Sequence, residues 1–240
     1  MTKSKIHLTL FLFFFSVYAL TGQGSIQSAD GKIMFLLTEA MVENHSVSFS
    51  EMVTLNDIPG PQYSKYGLGM SVLAIPFYLL GKVLSFLLGI EASMATQFAV
   101  SMINTILTAF CCLMVFRFAT DRLDCNPRIS LILALGFGLS TIAWYYSEDF
   151  MSEPAITLFL LLAVYCVTSK NSLTRKRDLI WAGIFLALAV FCKLVVLIAI
   201  PGFIMYQWMV WAESDEKNVK ELTRDLIRPA IPVITVLILI

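Results

Sequence analysis

The feature that most constrains this chain is a succession of apolar runs, each separated from the next by a charged stretch. The runs cover residues 6–22, 67–88, 95–116, 129–146, 154–168, 179–211 and 229–240. A helix needs roughly 20 apolar residues to cross the hydrocarbon of a bilayer, and several runs reach or approach that length. The 240 residues are 58% hydrophobic and 14% charged, whereas soluble domains carry about 25% charge. A single soluble core of this size cannot hide so much apolar surface. The expected fold is an all-α membrane protein, a multi-span helical bundle forming one transmembrane domain over residues 1–240. The run at 6–22 follows Lys3 and Lys5 and reads as an uncleaved first span rather than a signal peptide cut after Ala19. The last run holds too few residues to span, so the chain is expected to be the N-terminal portion of a longer protein.

Two runs need closer reading. As one helix, 179–211 would extend about 50 Å at 1.5 Å per residue, with Lys193 near its middle. A lysine at the bilayer centre costs about 2.5–3.5 kcal/mol even on a lenient scale. Two short spans, 179–192 and 194–211, with Lys193 at a membrane face, avoid that cost. The run at 67–88 is long enough to cross. Pro76, the glycines at 67, 69 and 81, and Lys82 instead mark it as an interfacial or re-entrant helix.

Basic residues test the topology, because cytoplasmic loops carry an excess of Lys and Arg. With the N-terminus inside and 67–88 not crossing, the cytoplasm receives Lys3, Lys5, Arg117, Arg122, Arg128, Lys170, Arg175, Lys176, Arg177, Lys217, Lys220, Arg224 and Arg228. Lys32, Lys65, Lys82 and Lys193 lie outside, giving thirteen in and four out. Crossing by 67–88 with the N-terminus outside gives the same count; the basic flank of the first run favours the first arrangement. It leaves a long first outer loop at 23–66 and a cytoplasmic loop at 212–228. Nine acids then face outward: Asp30, Glu39, Glu43, Glu51, Asp57, Glu91, Glu148, Asp149 and Glu153. Trp144, Tyr145, Tyr146, Trp181, Trp208 and Trp211 fall at run ends, as an aromatic belt does.

The formal net charge of zero gives no electrostatic reason to expect nucleic acid. Five cysteines show neither disulfide nor metal spacing, and His7 and His45 stand alone. The chemistry-bearing residues sit at the ends of the runs. In the first outer loop, Asp30 precedes an expected short helix at 33–42. Aspartate is a favoured N-cap. A helix N-terminus also favours an ionised carboxylate, which could take a proton from an acceptor hydroxyl. Glu148, Asp149 and Glu153 cluster in the 147–154 loop. They read equally as a solvated loop ahead of Pro154 or as a mouth that binds a sugar, an amine or a metal. Tyr63, Lys65 and Tyr66 precede the 67–88 run and read as interfacial anchors or as a phosphate and sugar contact. Lys193 either snorkels or meets a lipid phosphate. Acid clusters permit Mg²⁺ or Mn²⁺, but the spacing does not demand either; no cofactor is assigned.

The order of these features resembles the polytopic glycosyltransferases of the C superfamily, nearest the protein O-mannosyltransferase and lipid A aminoarabinose transferase branch. The shared order is a first span, then a long outer loop with an early Asp30. Next come Tyr63-Ser-Lys-Tyr-Gly-Leu-Gly before a Pro-containing apolar segment, then an arginine-bearing inner loop. Ser-Glu-Pro at 152–154 and the run 182–193 ending in Cys-Lys complete it. The resemblance implies transfer of a sugar from a polyprenyl-phosphate donor to a lipid, glycan or protein hydroxyl on the non-cytoplasmic face of the cell (inner) membrane. It implies a catalytic Asp30, a second acid at Glu153, and interfacial helices after the first loop. This chain departs from the family pattern at Gly31, where many members carry a second acid, and around Lys193, which lacks the family's Thr before it and Gly or Pro after it. The alternatives are a membrane transporter or lipid flippase, which would need ionisable groups deep within spans, and a non-catalytic membrane scaffold.

Overall fold

The computed structural model describes residues 3–49, 62–169, 174–213 and 219–239. Expectations that fall on Lys170, Lys217, Glu51 and Asp57 lie outside the described residues. The apolar runs become helices: α1 (Lys3–Thr21), α2 (Ala29–Glu43), α3 (Leu68–Leu88), α4 (Ala92–Asp121), α5 (Pro127–Ser140), α6 (Ala143–Ser147), α7 (Glu153–Val167) and α8 (Arg175–Cys192). A 3-10 segment (Leu194–Ala199) leads into α9 (Ile200–Ala212), and α10 (Val219–Leu239) follows. Two short strands, β1 (Ser48–Phe49) and β2 (Gln62–Tyr63), pair antiparallel with Ser48 opposite Tyr63. The chain is an integral membrane protein with an all-α bundle. Among the described residues, four helical segments, α1, α3, α4 and Leu194–Ala212, are long and apolar enough to cross a membrane.

The long helix α4 packs against α1, α3, α5, α6 and α7. Its buried face is rich in small residues, among them Ala95, Ala99, Ala109 and Ala119, which let neighbouring backbones approach without a strong hydrophobic drive between helices. The Tyr18 hydroxyl donates to the Gly138 carbonyl at 2.9 Å and lies 3.3 Å from Cys112 Sγ, joining α1, α4 and α5. At one end of the bundle, Arg122 donates from Nε and Nη2 to the Tyr165 carbonyl at 3.0 and 2.9 Å. At the other, Asn104 of α4 meets the turn before α7, so α4 and α7 run parallel. Leu179 packs near Val167 while Lys193 reaches Glu153, which makes α8 antiparallel to α7. Arg175 meets Asp225 and Gly183 lies against Pro229, which makes α10 parallel to α8. One end of the bundle therefore gathers arginines and the other gathers Asp30, Asp149, Glu153 and Lys193.

Several local expectations change. The helix after the first span begins at Ala29, and its cap is Ser28, not Asp30. The loop expected at 212–228 is partly helix, since α10 starts at Val219. The 129–146 run breaks at Thr141, whose backbone is extended, into α5 and α6. The 179–211 run does divide at Lys193, which is extended with φ −160° and ψ 120°.

The 67–88 run is one continuous helix with Pro76 inside it. Its glycines are contact points rather than loose joints. A Cβ on Gly67 would stand 2.5 Å from the Phe191 carbonyl oxygen, and one on Gly81 would stand 2.5 Å from Thr96 Cα. Met70, Ala74 and Tyr78 share a core cluster with Val100 and Ile103. Helix α3 thus runs from the C-terminal end of α8 to the N-terminal end of α4, beside the part of α4 farthest from Arg117 and Arg122. Lys82 Nζ pairs with Glu43 Oε1 at 2.7 Å, tying its far end to the end of α2.

Candidate functional site

The site is built outward from a buried amide. Asn104 is fully buried on α4, and its Nδ2 faces the carbonyl oxygens of Tyr146 at 3.2 Å, Met151 at 2.9 Å and Asp149. Thr105 Oγ1 donates to the Ser147 carbonyl at 3.2 Å. These contacts fix the turn between α6 and α7. A carboxamide satisfying buried carbonyls is favoured because each one left unpaired costs about 1–3 kcal/mol.

That turn in turn fixes α2. Asp149, 8% exposed, accepts from Gln27 N at 3.2 Å through Oδ1 and from Ser28 N at 2.7 Å through Oδ2. Oδ1 also accepts from Phe150 N at 2.7 Å. Ser28 Oγ accepts from Gly31 N at 3.0 Å and caps the helix. A side chain at 31 would collide with the Phe150 carbonyl oxygen, so the close approach of α2 to the turn demands glycine. The second acid that many family members carry here has no room. Asp30, in the first turn, is exposed, at a helix end that stabilises negative charge.

Around Asp30 stand four of the expected residues. Burial, then hydrogen bonding to Asp30, pushes the Tyr66 phenol above its ordinary value. Lys65 Nζ lies 5.0 Å from the centre of the Tyr66 ring. Lys193 Nζ pairs with Glu153 Oε1 at 2.7 Å. That hydrogen bond, aided by the charge of Asp30 and by Tyr146, holds the ammonium above the usual lysine value. Asp30, Lys65, Tyr66, Glu153 and Lys193 therefore form one electrostatic neighbourhood, drawn from α2, the segment before α3, the start of α7 and the end of α8.

The other sequence candidates lie differently. Asp149 is turned inward onto backbone amides, which corrects the reading of 148–153 as a solvated loop. Glu148 caps the C-terminus of α6. Tyr63 is exposed on β2. Asn104, which holds the arrangement, was not among the candidates; its signal was a carboxamide inside the otherwise apolar 95–116 run. Among the described residues, no group of three or more His, Cys, Asp or Glu side chains is placed to hold a metal ion. The arrangement offers a carboxylate base beside two ammonium groups and a phenol, which suits a hydroxyl nucleophile meeting a departing anion.

Residues 83–238 match the model of a protein family described as dolichyl-phosphate-mannose-protein mannosyltransferase. The match contains Glu148, Asp149, Glu153 and Lys193 and begins after Asp30, Tyr63, Lys65 and Tyr66. No curated protein and no solved structure matches the chain.

Proposed function

The chain belongs to the dolichyl-phosphate-mannose-protein mannosyltransferase family, and on that premise we propose that it moves a sugar from a polyprenyl-phosphate donor to an acceptor hydroxyl at the end of the bundle bearing Asp30. The observation that carries this reading is the exposed Asp30 carboxylate set beside the Lys193–Glu153 pair and the Lys65–Tyr66 pair.

In this mechanism Asp30 takes the acceptor's proton, and the acceptor oxygen attacks the anomeric carbon. The bond from that carbon to the donor phosphate oxygen breaks, and the phosphate leaves with the bonding electrons. Lys193 and Lys65 meet its charge, an electrostatic contribution aimed at charge that develops in the transition state. Glu153 orients Lys193 and balances it before the donor arrives. Tyr66 positions Asp30 and offers a face to the sugar. The thirteen-to-four distribution of basic residues favours the non-cytoplasmic face of the cell membrane for this end. The basic flank of the first run favours an α3 that stays at that face rather than crossing, in keeping with its packing beside the near part of α4.

Sugar transfer from a lipid-linked donor in proteoliposomes tests the proposal. Asp30→Asn keeps the helix start and removes the base, so transfer should fall by about 10²–10⁴-fold with an unchanged melting temperature. Undiminished transfer would remove Asp30 from the mechanism. Labelling of Glu148→Cys by an impermeant maleimide, in a background without the native cysteines, should occur only from the non-cytoplasmic side; labelling only from the other side would reverse the assigned face.

A further inference from the structure

Far from Asp30, helices α8, α9 and α10 enclose a partly open cavity of about 410 Å³. Ala182, Leu186, Phe203, Ile204, Ala230 and Val233 give it apolar walls. One polar residue lines it, Gln207, which is 3% exposed. Its Oε1 accepts from Arg175 Nη2 at 2.9 Å, while its Nε2 is buried with no hydrogen-bond partner. Beyond it, Arg175 Nε and Arg228 Nη1 share Asp225, at 2.9 and 2.8 Å. Two guanidinium groups thus stand against one carboxylate.

The layers follow one another along the helices: an apolar slot, then an unsatisfied amide donor, then excess positive charge. An unpaired buried donor costs about 1–3 kcal/mol, so the slot favours an occupant that brings an acceptor to that level. A diacyl glycerophospholipid with an anionic headgroup has the matching order of acyl chain, ester carbonyl and phosphate. We propose that this slot binds one such lipid from the leaflet at the arginine end, with an ester carbonyl on Gln207 Nε2 and the phosphate at Arg175 and Arg228.

The polyprenyl donor does not fit the same description. Arg175 opens α8 and Lys193 follows its last residue, so the two ends lie about 25 Å apart at 1.5 Å per residue. A donor phosphate held at Arg175 could not react beside Asp30.

Native mass spectrometry of the purified chain, exchanged into phosphatidylglycerol or phosphatidylcholine, tests the site. The wild type should retain one phosphatidylglycerol at least ~10-fold more readily than phosphatidylcholine, the discrimination that about 1.4 kcal/mol of differential binding gives. Ala230→Phe should fill the slot and abolish retention. Arg228→Gln leaves the Arg175–Asp225 pair in place and the slot volume unchanged, and should erase the headgroup preference. Sugar transfer at the Asp30 end should persist in both variants, which separates this site from the proposed reaction. Equal retention of the two lipids, retention unaffected by either substitution, displacement by polyprenyl phosphate at equal concentration, or no retained lipid because other protein fills the slot would each overturn the proposal.

Discussion

The two ends of the bundle use the same kinds of groups in opposite ways. At the arginine end, the carboxylates are consumed locally. Arg122 grips the Tyr165 carbonyl, the Tyr165 hydroxyl donates to Asp121 Oδ2 at 2.9 Å, and Arg175 and Arg228 divide Asp225. At the acid end, only Asp149 is spent in this manner, on three backbone amides. Asp30 is exposed, and the Lys193 and Glu153 side chains remain 36% and 32% exposed. An ion pair open to that degree contributes about 0.2–1 kcal/mol to stability. Hydrogen bonds to a buried carboxylate such as Asp149 contribute about 1.5–3 kcal/mol each. Charge at the acid end thus divides into a buried portion that holds the fold and an exposed portion that substrate can reach.

The division can be broken first at Gly31. Gly31→Ala drives α2 away from the Phe150 carbonyl, and a misplacement near 1 Å costs about 10²-fold in rate. Transfer should fall by that order, with a lowered melting temperature; wild-type transfer would show that the distance between α2 and the turn does not matter. Asp149→Asn should come next, costing about 3 kcal/mol of stability through the lost amide contacts and lowering transfer as Asp30 drifts. Asp225→Asn at the opposite end should lower stability yet leave transfer intact. Equal losses of transfer from both would erase the contrast between the ends.

Lys193→Met should separate chemistry from folding in the other direction. Its transfer rate should drop about 10²-fold, in line with removal of one transition-state charge partner, while chemical denaturation moves by less than about 1 kcal/mol. A large stability loss with normal turnover would make the pair structural. The smallest effect belongs to the exposed tie between α2 and α3. Lys82 hydrogen-bonds Glu43 and holds its carboxyl below the ordinary value of 4.5. A depressed folded value stabilises the native state above the ordinary value, and that contribution disappears as pH falls through the depressed one. Amide protection at the α2–α3 contact, measured relative to the intrinsic exchange rate, should therefore fall as pH drops below 4.5. Lys82→Met should remove that dependence.

Much of the fold was legible from local pattern. Run length and apolarity specify helices, and the cost of a mid-membrane lysine divides the 179–211 run at Lys193, where the chain turns extended. Asp30 also falls at a helix start, as its neighbours suggested, although Ser28 is the cap because its hydroxyl meets Gly31 N. The acid cluster was legible as a cluster but not as a division of labour. Asp149 and Glu148 are adjacent in sequence, and only the fold turns one of them onto the amides of residues 27 and 28.

Local composition determined that this chain is a bundle of membrane helices with its charges gathered between the apolar runs. The length and hydropathy of a segment are its own properties, and the bilayer selects on them directly. Tertiary structure decided what the acids do. It set Asn104 under the 146–151 turn, brought α2 onto that turn at Gly31, laid α3 beside the near part of α4, and joined Lys193 to Glu153. Each of these is a contact between residues distant in sequence, fixed by close packing and by the need to pair buried polar groups, and no single run carries the information for it.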